Sequence, residues 1–378
     1  MQPNQDTRIP VTIITGFLGS GKTTLLNHWV QQPELADCAI LINEFGAVGL
    51  DHQLVRQVDE QVTLLDSGCI CCSVQGSLAS TLQELFMKAL RKEIKPFRRL
   101  IIETTGLADP APVLFTLRQD DFIAQRYRFD GIVTLVDGVH IAGQLARQYE
   151  AVKQIALADL LVISKSDLIP PEQLAELKQR LTQLNPAAPQ HVVQQGTLSP
   201  AVLEKIGPYC TEAGKNVRAL LTWLRAEAPK LGLASPLRPT AAQSQSLGIQ
   251  PQLPSSHADV VSFSLRFGAP LQAARLIAAV EAVQANFGDS LLRLKGILQL
   301  EGESQPLVIH GVHGQLYPLT SLGEWPEGKA QTSLVFIVRA AAKEQIEALF
   351  QQALSQPEPT LAEQLYARFN PPSAGHEV

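Results

Sequence analysis

The chain reads as an α/β protein: a mostly parallel sheet flanked by helices, followed by a smaller α+β domain. Three observations carry that reading. In the first half, short apolar runs recur, each ending in polar, reactive side chains, usually with a helical stretch behind. After about residue 225 the composition turns to Pro, Ser, Gln and Ala with little periodicity. From Val260 onward apolar periodicity returns, first alternating and then helical. Uninterrupted apolar runs between helices are the pattern of strands buried on both faces, as parallel strands are.

Val11–Thr15 is the first such run and leads into Gly16–Thr23. Ala39–Ile42 leads into Asn43-Glu44-Phe45-Gly46, and Val62–Leu65 into Asp66-Ser67-Gly68-Cys69. Leu100–Ile102 ends at Glu103, Ile132–Val136 at Asp137, and Leu160–Ile163 at Ser164-Lys165-Ser166-Asp167. In open parallel sheets ligands bind beyond the carboxyl ends of the strands. Almost every reactive group here falls at such an end, so one shared site is predicted. Residues 1–225 are assigned to this domain and 226–257 to a linker. Within 258–354, Val260–Leu265 alternates as a strand does, and Leu276, Ile277, Val280, Val283 and Phe287 share a helical face. Leu292–Leu300, Leu307–His310 and Ser333–Val338 read as strands, 343–354 as a helix, and 355–378 as a proline-bearing tail.

At 378 residues the chain is long enough for two cores. A net charge of -5 leaves no basic excess to neutralise phosphates, which argues against a nucleic-acid partner. The N-terminal segment has no apolar signal region, and no apolar run approaches membrane-spanning length. No membrane partner is expected. Five cysteines, three of them clustered, suit metal binding in a reducing compartment better than a disulfide framework. A cytoplasmic protein is therefore expected.

Gly16, Gly21, Lys22 and Thr23 satisfy G-x-x-x-x-G-K-[ST], between an apolar strand and an amphipathic helix expected over Lys22–Val30. Glycines let backbone N–H groups turn inward around phosphate oxygens, and a helix N-terminus adds its positive end. Gly19, Ser20 and Thr24 belong to the same loop. Lys22 is expected as an exposed ligand of the β- and γ-phosphates, and Thr23 as a ligand of Mg²⁺. Glu103, at a strand end before Thr104-Thr105-Gly106, can join the Mg²⁺ shell or orient water. Gly106 can offer a backbone N–H to the γ-phosphate. Asp167 can accept from both N1–H and N2–H of guanine, a pair adenine does not present, with the stem of Lys165 over the ring.

Cys69, Cys71 and Cys72 place three thiols within four residues behind a strand end. Thiolates favour borderline and soft metals, and Zn²⁺ takes three or four tetrahedrally. Three converging sulfurs leave a fourth position to water or another residue, which suits transfer more than storage. Cys38 and Cys210 are isolated and read as core residues. His28 reads as structural or exposed. His52 and His140 follow strand ends near the expected site, and His310 with His313 falls in the second domain.

Taken together, these residues resemble the CobW-like P-loop GTPases, metallochaperones akin to the HypB and UreG maturation proteins. The likeness rests on Gly16–Thr24, Asn43–Gly46, Gly68–Cys72, Glu103–Pro110 and Ser164–Asp167. It continues through Arg293-Leu294-Lys295-Gly296-Ile297 and Gly311-Val312 into a C-terminal domain like that of CobW. The resemblance implies a P-loop GTPase domain with a zinc or cobalt site at the cysteines. It also implies a switch at Asn43–Gly46 that senses the γ-phosphate, and guanine specificity from Ser164, Lys165 and Asp167. Three features depart from the pattern. Ala47 stands where many relatives carry an acid, Ser164 stands in place of the usual Asn, and the linker has one histidine, His257.

The expected function is a GTP-dependent chaperone that loads zinc, or cobalt, at the cysteines and delivers it to a client metalloprotein. Lys22 with Mg²⁺ stabilises the transferring phosphoryl group, and Glu44 or Glu103 orients the water. GTP and GDP are the expected nucleotides, slow intrinsic turnover is expected, and homo-oligomerisation is left open. Two alternatives remain: a nucleotide-gated redox sensor whose cysteines oxidise without carrying metal, and a regulatory scaffold whose second domain binds a partner and whose turnover is incidental, a reading that the cysteine cluster counts against.

Overall fold

A computed structural model describes residues 6–42, 63–66, 75–207, 260–288, 290–313, 315–322, 324–325, 330–339 and 342–355. The linker expected at 226–257 and nearly all of the tail expected at 355–378 lie outside the described residues. The first domain holds β1 (Ile9–Gly16), β2 (Cys38–Ile42), β3 (Thr63–Asp66), β4 (Arg99–Glu103), β5 (Tyr127–Asp137), β6 (Leu160–Ser164) and β7 (Gln190–Val192). They form one sheet in the order β3-β2-β4-β1-β5-β6-β7, and every neighbouring pair is parallel.

Both faces of this sheet are covered, which explains the uninterrupted apolar runs. In β1, Val11 and Ile13 enter the core under the helices Gln75–Leu90, Ala111–Gln119, Tyr149–Leu157 and Pro171–Leu184. Ile14 enters the opposite core, against Leu25, Leu26 and Trp29 of the Lys22–Trp29 helix. Trp29 is fully buried, and its indole N–H donates to the Leu198 carbonyl at 2.7 Å. The strand ends are in register. Glu103 of β4 lies beside Ile14 of β1 and Ile42 of β2, and Asp137 of β5 lies beside Ser164 of β6. The parallel sheet thus gathers those residues along one edge.

The second domain is antiparallel. Its strands are β8 (Val260–Phe267), β9 (Leu291–Leu298), β10 (Leu307–Val312), β11 (Gln315–Leu316), β12 (Thr320–Ser321) and β13 (Thr332–Arg339), in the order β11-β10-β9-β13-β8 with β12 on β10. Helices Ala273–Phe287 and Lys343–Ser355 pack on one face of the sheet, around Leu276, Val280, Val283, Ile346 and Phe350. One expected core residue is not there: Ile277 is 49% exposed, and Ala279 is fully buried. A 3.6-residue repeat puts both positions near the apolar arc, one on each side of it, and the covered side is the one that carries Ala279. Among the described residues, no helix is long and apolar enough to cross a membrane.

The two domains meet through a shared apolar core and a buried charge cluster. Val260, Leu292, Val312 and Ile337 join the core that contains Val152, Ile155 and Leu157. Beside them Arg293 donates to the Leu157 carbonyl and to Asp159 Oδ1. Asp159 Oδ2 accepts from the Ile132 N–H of β5 at 3.1 Å. Lys295 Nζ lies 3.6 Å from Asp159, and His310 Nε2 lies 3.1 Å from Arg293 Nη2. Arg293, Asp159 and His310 are all at most 2% exposed. Burial by itself would raise the Asp159 carboxyl, but Arg293 and its neighbours outweigh it and hold the group down to about 2. Burial, with Arg293 and Lys295 nearby, pushes His310 well below its ordinary value against the pull of Asp159.

Both shifts make acid destabilising. The stability owed to a depressed carboxyl is complete above the ordinary carboxylate range and lost as pH falls through its folded value. A histidine kept neutral in the fold likewise loses its contribution once pH drops below about 6.5, where the unfolded chain takes up the proton. Asp159→Asn is expected to cost roughly 3 kcal/mol at neutral pH, because it leaves Arg293 buried against a neutral partner. The fall of its urea midpoint between about pH 4 and pH 2 is also expected to flatten relative to the parent. Urea titrations of both proteins across pH check this, and unchanged midpoints would contradict it.

Candidate functional site

The site begins where β1 stops. Gly16 has φ 140°, and a Cβ there would lie 2.4 Å from the Leu135 carbonyl oxygen, so the chain can leave the sheet only with glycine. The loop turns back through Ser20 N–H to Phe17 O at 3.1 Å and enters the Lys22–Trp29 helix at Gly21. Lys22 is not the exposed side chain the sequence suggested. It is 9% exposed, with its ammonium folded under the loop, donating to the Gly16 carbonyl at 2.9 Å and the Phe17 carbonyl at 3.3 Å. A cation encircled by loop carbonyls and a helix N-terminus together make a concave, positive seat for an anion. Thr24 is exposed, one residue further into the helix.

Glu103 reaches this seat from the neighbouring strand. The Thr23 hydroxyl donates to its Oε1 at 3.4 Å, and Glu103 is 4% exposed. A hydroxyl and a carboxylate side by side at the foot of a phosphate loop are hard oxygen donors, the set that Mg²⁺ prefers. The turn after Glu103 is tied to β1 by Thr104 N–H to Ile14 O at 2.9 Å and by Thr104 Oγ1 to Thr15 Oγ1 at 2.9 Å. Gly106 then lies directly on the phosphate loop: a Cβ there would stand 2.5 Å from the Leu18 nitrogen.

The third component comes from β6. Ser164 Oγ donates to the Ser20 carbonyl at 2.7 Å and lies 3.3 Å from the Val136 carbonyl. The serine that replaces the usual asparagine therefore still ties this loop to the phosphate loop. Lys165 takes a left-handed backbone, φ 55°, and its ammonium donates to Asp137 Oδ2 at 2.7 Å. Asp137 also accepts from Val139 N–H at 2.9 Å and lies 3.0 Å from His140 Nδ1. Burial would raise the Asp137 carboxyl, but hydrogen bonds from Lys165 and His140 outweigh it and leave it below the ordinary value. Asp167, in the Ser166–Leu168 turn, is exposed. A cleft of about 470 Å³ opens between Phe17 and Leu18 on one side and Asp137, His140, Gln144 and Lys165 on the other.

The structure thus brings together Gly16, Lys22, Thr23, Glu103, Gly106, Ser164 and Lys165, with Asp167 beside them on the same edge. Asp137 belongs to this group, although its position at a strand end was the only signal for it. Glu44 and the rest of Asn43–Gly46, Cys69, Cys71, Cys72, His52 and Cys210 lie outside the described residues. The strands that lead to the first two segments do reach the same edge: Ile42 pairs with both Glu103 and Asp66. Among the described residues, no group of three or more His, Cys, Asp or Glu side chains could hold a metal ion. Cys38 is buried, as expected of a core residue, and burial pushes its thiol up to about 12. His28 sits partly exposed in the last turn of the Lys22–Trp29 helix.

Comparison with known proteins agrees with this arrangement. The family described as CobW/HypB/UreG, nucleotide-binding domain, matches residues 10–192, and the cobalamin synthesis protein cobW C-terminal domain matches residues 260–354. The chain is 31% identical over 342 residues to zinc chaperone YjiA of Escherichia coli, across 90% of this chain and 98% of that protein. It is 35% identical over 184 residues to zinc-regulated GTPase metalloprotein activator 1 of Schizosaccharomyces pombe, across 47% of this chain and 44% of that protein. The crystal structure of Zn(II)-bound YjiA GTPase from E. coli superposes with a TM-score of 0.62 at 25% identity, covering 92% of this chain and 99% of that one. By its nucleotide-binding domain, its C-terminal domain and its full-length relative, the chain belongs to the CobW/HypB/UreG family of P-loop GTPases.

Proposed function

We propose that this protein is a GTP-dependent metal chaperone. It takes up zinc, or cobalt, at Cys69, Cys71 and Cys72 and passes it to a client metalloprotein as GTP is hydrolysed. The observation that carries the nucleotide half is the meeting of Lys22, Thr23 and Glu103 at one loop, with Thr23 hydrogen-bonded to Glu103. The metal half draws on the cysteine spacing and on relatives named as a zinc chaperone and a zinc-regulated GTPase metalloprotein activator. Three thiols kept available as metal ligands suit the reducing cytoplasm.

In this proposal the backbone N–H groups of Gly16–Thr23 and the Lys22 ammonium hold the β- and γ-phosphates. Thr23 and Glu103 hold Mg²⁺, which supplies charge stabilisation to the phosphate oxygens. Glu44 is the other acid suited to orienting the attacking water. Gly106 closes beside the γ-phosphate. Ser164 keeps the base loop on the phosphate loop, Lys165 covers the purine ring, and Asp167 pairs with its N1–H and N2–H. The segments behind β2 and β3 leave the sheet at the edge occupied by Glu103. A γ-phosphate there favours one arrangement of the switch and the cysteine segment over another. Metal affinity then follows the nucleotide by population shift.

Asp167→Asn is expected to erode the preference for GTP over ATP by roughly 1–3 kcal/mol, because a carboxylate accepts from both N1–H and N2–H of guanine with charge-assisted hydrogen bonds and a neutral amide cannot accept both. Competition binding of the two nucleotides measures it, and equal affinities in the parent protein would refute the base-reading role. Replacing Cys71 and Cys72 together by Ser is expected to abolish tight Zn²⁺ binding and leave GTP affinity within about threefold, since a serine hydroxyl stays protonated and is a poor partner for zinc. Metal analysis of protein purified under reducing conditions, with nucleotide titration alongside, checks this. A parent protein that binds no zinc but forms a disulfide on oxidation would favour the redox-sensor alternative.

A further inference from the structure

Gln154 is a buried polar side chain to which the chemistry above gives no role. It sits near the end of the Tyr149–Leu157 helix and is 1% exposed. Its side-chain amide donates to the Gly106 carbonyl at 3.2 Å and to the Ala108 carbonyl at 3.1 Å. Both carbonyls belong to the turn that follows Glu103 and rests on Leu18 of the phosphate loop. One residue earlier, Lys153 pairs with Asp109 in the same turn. A single helix therefore grips this turn at two successive side chains.

The helix itself is held at this same end. Asn185 donates its side-chain amide to the carbonyls of Ile155, Ala156 and Ala158, and Arg293 of the second domain takes that of Leu157. Thr134 Oγ1 of β5 donates to the Gln154 carbonyl at 2.9 Å. The last turn of the helix has little freedom to shift, so the amide of Gln154 is presented from a fixed point. Two acceptors in one turn, bound by one amide, define the height of that turn above the phosphate loop.

We propose that Gln154 is a positioning residue for GTP hydrolysis, holding the Gly106–Ala108 turn in the place from which Gly106 meets the γ-phosphate. This rests on the role given to Gly106 in the proposed function. It places the effect on turnover and not on nucleotide capture, because GDP has no γ-phosphate for this turn to meet. A purely structural glutamine would instead lower thermal stability and the affinity for GDP and GTP together.

The test uses the full chain with Gln154→Met, which keeps the volume and removes the amide. Single-turnover GTP hydrolysis is expected to slow by about 10- to 100-fold, the scale of a misplaced group near the reacting centre. GDP affinity is expected to stay within about threefold, with the loss falling on kcat. Hydrolysis within twofold of the parent, or GDP affinity falling as far as the rate, overturns the proposal. Lys153→Met cuts the more exposed grip on the same turn and guards against a Gln154 variant that does not fold; a slower rate with intact GDP binding supports the proposal, and an unchanged rate counts against it. Gly106→Ala separates the two levels of the argument. If it abolishes hydrolysis while Gln154→Met does not, Gln154 has no positioning role. If neither variant alters hydrolysis, the turn itself does not act on the γ-phosphate.

Discussion

Asp159 stands where β5 and β6 meet the second domain. Its carboxylate receives the Ile132 N–H of β5, precedes β6 in the chain, and is gripped by Arg293 from β9. A buried carboxylate is tolerable only when each oxygen has a partner, so the cluster is an all-or-nothing arrangement. Its consequence is geometric. β5 and β6 end at Asp137 and Ser164, and those two residues place Lys165 and tie the Ser164–Asp167 segment to the phosphate loop. The second domain is thus anchored at the base of the strands whose tips carry Asp137 and Ser164.

Above that anchor, the site is assembled by register. Parallel strands point their carboxyl ends the same way, and this sheet brings the ends of β1, β4, β5 and β6 to one edge. Glu103 reaches Thr23 although eighty residues separate them, because β4 lies beside β1. Glycines at positions 16 and 106 then bring two loops closer than any side chain would permit. The electrostatics follow from the same packing: Lys22 and Lys165 are held by loop carbonyls and by Asp137, so their charges are already oriented.

The strands, their order of function and the phosphate loop were legible because each depends on a local pattern. Apolar runs closed by polar residues mark strand ends, and G-x-x-x-x-G-K-T specifies a turn before a helix. What escaped depends on distant partners. Arg293 and Lys295 stood out in the sequence as a marker of the second domain, yet their target, Asp159, lies more than a hundred positions earlier. His310 carried no signal beyond its place in the second domain, and it sits in that buried cluster. Gln154 is an ordinary polar residue on a helix until the fold shows which carbonyls it meets. The short strand Gln190–Val192 was missed because it holds one apolar side chain, too few to register as a run. Ile277 was misplaced because periodicity locates an arc and the partner surface decides how much of the arc is covered.

In the proposed function, nucleotide state governs metal affinity. The most direct test is a Zn²⁺ titration of the full chain under reducing conditions in three states: without nucleotide, with Mg²⁺-GDP, and with Mg²⁺ and a non-hydrolysable GTP analogue. The GDP and analogue states are expected to differ by about 5- to 150-fold, with a reciprocal change in nucleotide affinity when zinc is added. Equal zinc affinities in all three states would contradict it, even if both ligands bind.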